Sequence, residues 1–359
     1  MNFFLDRIAI VDLASASVVF QPLPEPALQN RDLACLGEIF ADSLVFAAGR
    51  LTGSLAPASC LLTARCGDKT CLLKGHFGPA LRRCGLDALV LCGKATRPSG
   101  LALTEQGIRL LDAESGADAP TQRAALLRAV RQEHGADDDI LCVVTGSAAF
   151  AHCASPALVW DHGLAPRSAL AAHWMAEHNL VGLCLHGASP YLSPLPLDNA
   201  GRAAAPSVLL TAAEYGKVLQ TARPGTPTHI LPVGRSLACH ACPAPCQCWL
   251  PGPQGFVAAT SPEAVALLLE KGASARRVAE IFLLAERFGL EPLGLAGLAT
   301  TADVPKDVLS HVQAVDEASP DPSVGKGMLL GICPFFLRRF PAVRAALEGL
   351  AVGTDDKTR

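Results

Sequence analysis

Apolar positions run along this chain in two rhythms, and the change from one to the other falls near its middle. In the first half, short apolar runs between turn residues predict strands. RIAIVDL (7–13) and SASVVF (15–20) read as a hairpin, SLVFAAG (43–49) as a short strand, and CLLTARCG (60–67) and KTCLLKG (69–75) as two more. DALVLCGK (87–94), DILCVVTG (139–146) and NLVGLCLHG (179–187) read as buried strands, and LALTEQGIRLLDA (101–113) as a hairpin around Gln106 and Gly107. Helical spacing interrupts them at 24–44 after a Pro start, at 78–85, at 122–135, where an amphipathic pattern stops at Gly135, and at 166–179.

Residues 187–207 are rich in Pro, Ser and Gly and mark the best domain boundary. Beyond them the period becomes helical, at 207–222, 261–272, 274–289 and 304–318. The pattern therefore predicts an α+β chain. A strand-rich N-terminal domain spans 1–188, a linker 189–208, a mostly helical domain 209–352 and a polar tail 353–359.

Composition narrows the function classes. The chain has 359 residues, enough for roughly two domains, and a net charge of −3. No basic stripe is present and aromatics are only 5%, which argues against a nucleic-acid partner. Mean hydropathy is +0.31, yet no segment approaches the ~20 apolar residues of a membrane span. Asp6 and Arg7 break the first apolar run and no basic n-region precedes it, so the start reads as a strand and the expected location is cytoplasmic.

Fourteen cysteines are many for such a chain, and without an export signal a disulfide framework is the wrong reading. Cys92, Cys142 and Cys184 sit singly in apolar settings and read as small buried hydrophobes. The segment 236–253 is different. It holds Cys239, Cys242, Cys246 and Cys248 in a Pro-rich loop without strand or helix period. Thiolates two and three residues apart can converge on one metal centre, and Pro243 and Pro245 preset the curl this needs. A cubane would need a fourth, distant ligand. A zinc site closed by Cys248 or His240 is the alternative, and unliganded thiols a third.

Several segments, in order, resemble the aldehyde:ferredoxin oxidoreductase family, whose members hold tungsten on two pterins beside a [4Fe–4S] cluster. DRIAIVDLASASVVFQPLP is similar to the family's opening hairpin, and LVFAAGRLTGSLAP (44–57) to its Gly-x-Leu-Thr-Gly stretch. GHFGPALRRCGLDALVLCGKATRP (75–98) is the best match, and TGSAAF and AEHNLVGLCLHG resemble later parts of the same domain. Cys239, Cys242 and Cys246 fall on the family's Cys-x-x-Cys-x-x-x-Cys. Glu286 to Glu291, with Gly289 and Leu290, and Met328 to Cys333, with Ile332, look like its two pterin-binding loops.

The resemblance implies a [4Fe–4S] cluster on Cys239, Cys242, Cys246 and Cys333. It implies a tungsten or molybdenum bis-pterin held by Gly75, His76, Phe77, Gly78, Arg167, Glu286, Gly289, Leu290, Glu291 and Ile332. It further implies oxidation of an aldehyde-like substrate, with electrons leaving to ferredoxin or another redox subunit. The departures point the other way. Ser59, Cys60 and Leu61 stand where the family has an Arg, and Lys74 and Gly75 replace its Gly pair. Both Asp of the first pterin loop are Glu286 and Glu291. Only about forty residues separate Glu291 from Cys333, so the family's active-site His has no counterpart. The sequence thus leaves two readings: a compact oxidoreductase, or a non-catalytic electron-transfer or scaffold subunit that kept the cluster alone. Outside these loops, His173 and His178 are five apart on one helix and form no i, i+4 metal pair, whereas His240 flanks the cluster segment.

Overall fold

The computed structural model describes residues 5–30, 33–54, 58–104, 106–134, 140–160, 163–165, 167–187, 235–237, 239, 242, 247–253, 255–301, 307–314 and 331–334. The predicted linker, the predicted helix 207–222, His240, Cys246 and the tail lie outside the described residues.

The alternating runs of the first half build two sheets. In the first, β1 (Ile8–Asp12), β2 (Ser17–Gln21), β3 (Leu44–Ala48), β4 (Leu62–Cys66), β5 (Lys69–Leu73) and β6 (Ala88–Cys92) lie in the order β2-β1-β6-β3-β4-β5. Only the β1–β6 pair is parallel among these neighbours. Side chains alternate across the pleat: Ala9, Val11, Phe46 and Leu89 enter the core between the sheets, while Ile8, Val45 and Val90 face a smaller outer cluster with Leu36. Because both faces are covered, the inner strands read as near-continuous apolar runs.

The second sheet holds β7 (Ser99–Thr104), β8 (Gly107–Asp112), β9 (Leu141–Val144), β10 (Leu158–Trp160), β11 (Gly163–Ala165) and β12 (Leu180–Leu185), in the order β11-β10-β9-β12-β7-β8. Helices α3 (Phe77–Arg83) and α6 (Ala169–Glu177) contribute Phe77, Leu81, Ala172 and Met175 to the core shared by both sheets. The helix predicted over 24–44 is broken into α1 (Glu25–Asn30), a 3-10 turn (Leu33–Cys35) and α2 (Leu36–Ile39).

The other face of the second sheet is covered by α4 (Ala119–His134) and by the later helices α7 (Pro262–Glu270) and α8 (Ala275–Phe288). Ser261 and Ser274 cap these last two, each accepting a hydrogen bond from the N–H three residues on. Val278, Ile281, Phe282 and Ala285 form the buried stripe of α8 and meet Val144 and Val159 of the sheet in one core.

Two local expectations are corrected. The cysteine-rich segment was expected to lack strand structure, but it is flanked by a three-stranded antiparallel sheet of β13 (Arg235–Leu237), β14 (Gln247–Gly252) and β15 (Gly255–Ala259). Burial of Leu250 and Val257 against α8 stabilises strands there despite Pro251. In the predicted helix 304–318, the described residues form a 3-10 turn (Leu309–His311) that Val312 leaves in an extended conformation. There Gln313 donates its backbone N–H to the Gly294 carbonyl, a tertiary bond that competes with helix continuation. Helix α5 (Gly146–Phe150) and the β10–β11 hairpin carried no sequence signal.

Candidate metal centre

The centre is built on a loop that local bonds hold in shape. Between β3 and β4 the chain turns through residues 49–61, of which 49–54 and 58–61 are described. Gly53 donates its N–H to the Ser59 carbonyl at 2.8 Å, Ser59 Oγ to the Ser54 carbonyl at 2.7 Å, and Thr52 Oγ1 to the Leu61 carbonyl at 2.6 Å. Arg82 of α3 anchors the start of the loop, donating from Nη2 to the Gly49 carbonyl at 3.0 Å. Arg82 is paired with Asp87, and both side chains are fully buried.

Residues 331–334 dock against this loop. Leu61 donates its N–H to the Gly331 carbonyl and Cys333 donates to the Ala58 carbonyl, each at 3.0 Å. Gly331 has φ +75°, and a Cβ there would overlap Thr52, so the close approach requires glycine. These two bonds bracket Cys60 and bring it beside Cys333, and both residues are buried.

The Cys60 thiol is bonded to Cys239 and to Cys333, and the Gly75 backbone N–H also donates to it. The neighbouring Cys239 sulfur, with burial, pushes the Cys60 thiol well above the ordinary cysteine range, although the bond from Cys333 opposes this. Cys242 follows one turn after Cys239, its N–H bonded to the Cys239 carbonyl at 3.1 Å. Buried Gln247, at the head of β14, donates from Nε2 to Cys239 Sγ at 3.9 Å. Cys239 and Cys333, separate in sequence, therefore meet at one buried point, with Cys242 beside them. Cys246 is outside the described residues, and Cys248 stands in β14 opposite Ala259. Among the described residues no group of three or more His, Cys, Asp or Glu side chains is arranged to hold a single metal ion. Cys60 and Gln247 escaped the sequence reading; the signal for Cys60 was a thiol where the family has an Arg.

The remaining candidates lie as follows. Gly75, at φ +125°, faces the ring of Trp160, which a Cβ would overlap. Gly78 abuts Thr52 in the same way. Phe77 is core, with its ring centroid 5.2 Å from that of Phe46, and His76 precedes α3 with its carbonyl bonded to Ala80. Arg167 has φ +57° and bridges to Glu263 at 2.6 Å on the surface.

Gly289 ends α8 in the left-handed region, and a Cβ there would overlap the Thr145 carbonyl. Leu290 is fully buried and pairs with Pro156 as an isolated bridge. Glu291 is buried and accepts the Arg167 backbone N–H at 2.8 Å, while its own N–H goes to the Ser155 carbonyl. Burial raises the pKa of Glu286, which faces Arg123 of α4. Ile332 is fully buried beside Cys333. Thus 331–333 join the cysteines, whereas Glu286 and Glu291 engage different neighbours, α4 and the Arg167 backbone.

Two six-stranded sheets around a common core, with cysteines gathered where a loop of the first sheet meets two distant segments, define an α+β protein with a thiol-lined centre. Residues 40–187 match the N-terminal domain of aldehyde ferredoxin oxidoreductase, and through this domain the chain belongs to that family. In overall structure the chain is similar to the active site complex BamBC of benzoyl coenzyme A reductase, solved with 1,5-dienoyl-CoA, at a TM-score of 0.65 and 14% identity. That likeness covers 96% of this chain and 61% of the other. No curated protein matches the chain. Among the described residues no helix is long and apolar enough to cross a membrane.

Proposed function

We propose that this protein is an iron–sulfur redox member of its family, carrying a [4Fe–4S] cluster on Cys239, Cys242, Cys246 and Cys333. The observation that carries the reading is the meeting of Cys239 and Cys333 at the Cys60 thiol. Buried thiols contributed by a turn and a distant segment suit a cubane, which takes Cys ligands and no other protein groups. Gln247 on Cys239 Sγ would hydrogen-bond to a ligand sulfur, which tunes potential. Electrons would leave to a partner protein, a ferredoxin or another redox subunit.

A tungsten or molybdenum bis-pterin does not fit the residues proposed for it. The space that glycine opens at Gly75 is taken by Trp160, so the backbone there cannot be approached by an anionic group. Glu291 already accepts the Arg167 N–H, and the Arg167 guanidinium is spent on Glu263. We therefore favour electron transfer without aldehyde oxidation by this chain.

Metal analysis of anaerobically purified protein tests both parts. About four irons per chain, without stoichiometric tungsten or molybdenum, is the expected result. Zinc in place of iron would refute the cluster, and one tungsten or molybdenum per chain would restore the aldehyde-oxidising reading.

A further inference from the structure

Resting on the cluster reading above, we infer that Cys60 is itself a thiolate ligand of the iron–sulfur centre. Three observations point to it. Its backbone is clamped on both sides to the segment that carries Cys333, through Leu61 to Gly331 and Ala58 to Cys333. Its side chain is 1% exposed, so it meets no solvent and no outside partner. That side chain contacts the sulfurs of both Cys239 and Cys333, which come from two other parts of the chain.

A buried cysteine that served packing alone would lie among apolar side chains, as Cys142 and Cys184 do within the core of the second sheet. Cys60 belongs to none of the hydrophobic clusters that include the other fully buried strand residues. It instead sits between two thiols and a backbone N–H from Gly75. Such a donor stabilises sulfur carrying negative charge, as a ligand thiolate does.

With Cys239, Cys242 and Cys333, Cys60 completes four thiolates among the described residues, the number a cubane takes. The loop 49–61 would then be bound directly to the centre. This would tie the first sheet to the cysteine segment through iron as well as through hydrogen bonds.

The test uses the full chain, purified anaerobically as wild type and as Cys60→Ala, Cys60→Ser, Cys246→Ala and Cys142→Ala. Iron per chain, visible absorption and the EPR spectrum of the reduced protein are measured, with circular dichroism as the folding control. The inference expects the wild type and Cys142→Ala to hold about four irons. Cys60→Ala should lose at least one iron or the whole cluster, and Cys60→Ser should keep its fold with a shifted EPR signal. A spectrum and iron content unchanged in both Cys60 variants, with loss in Cys246→Ala, would overturn the inference and leave the cluster reading standing. A wild type without iron would overturn both. Because Ser matches Cys in size, a purely structural Cys60 would leave the Cys60→Ser spectrum like that of the wild type.

Discussion

Replacing Gly75 by Ala tests whether this glycine exists for the Trp160 ring. Two costs add. The backbone stands at φ +125°, where an L side chain is strained by about 1–3 kcal/mol. The new methyl would also overlap the ring of Trp160, which is buried and has no room to retreat; overpacking of this kind costs about 1–3 kcal/mol. The expected loss is therefore about 2–6 kcal/mol. Trp160→Ala alone should cost about 3–5 kcal/mol through the cavity it leaves. In the double variant the overlap vanishes and the backbone strain persists. The two changes should then be less than additive by about 1–3 kcal/mol. Guanidinium unfolding followed by far-UV circular dichroism measures all four proteins. Strict additivity would refute the reasoning, since it would mean that Gly75 and Trp160 do not share this space and that the glycine serves something else.

Two further outcomes follow from buried charge. Arg82→Met should destabilise the chain by about 3–5 kcal/mol, because it strands Asp87 in a site with no solvent, and adding Asp87→Asn should recover part of that loss in the same unfolding assay. Glu286→Gln should raise stability at neutral pH. Burial lifts the Glu286 pKa in the folded state, so its protonated form favours folding; that contribution is full below the unfolded value and is lost as pH rises through the folded one. The gain from Gln should therefore shrink toward zero as thermal melts are taken at more acidic pH, and a gain independent of pH would contradict the assignment.

The first half was legible because its period was strong and locally supported. β1 and β2 formed the expected hairpin, and β3 to β9 and β12 fell on their predicted runs, since alternation on a two-faced sheet leaves a direct trace in sequence. The breaks came where tertiary contacts outweighed local preference. Pro251 argued against a strand, yet β14 forms because Leu250 is buried in the core beside α8. The spacing after Val304 suggested a helix, yet Gln313 bonds to Gly294 instead.

The same division holds at the candidate centre. Cys239 and Cys242 stood out in sequence because ligands in one turn are neighbours in the chain. Gly289 announced itself as the end of α8, since a helix C-cap is a local matter. The place of Glu291 was not legible: its partner is the backbone of Arg167, far away in sequence. Nor was Cys60, a lone thiol whose neighbours arrive from two other segments.

By itself, then, the sequence determined the strand and helix periods, the family resemblance and the turn that pairs Cys239 with Cys242. Those are properties of residues a few positions apart. Only the tertiary structure decided that Trp160 fills the space at Gly75 and that Cys60, Cys239 and Cys333 meet at one point. Such contacts depend on how sheets and loops pack against one another, and packing brings together residues whose separation along the chain carries no trace of their meeting.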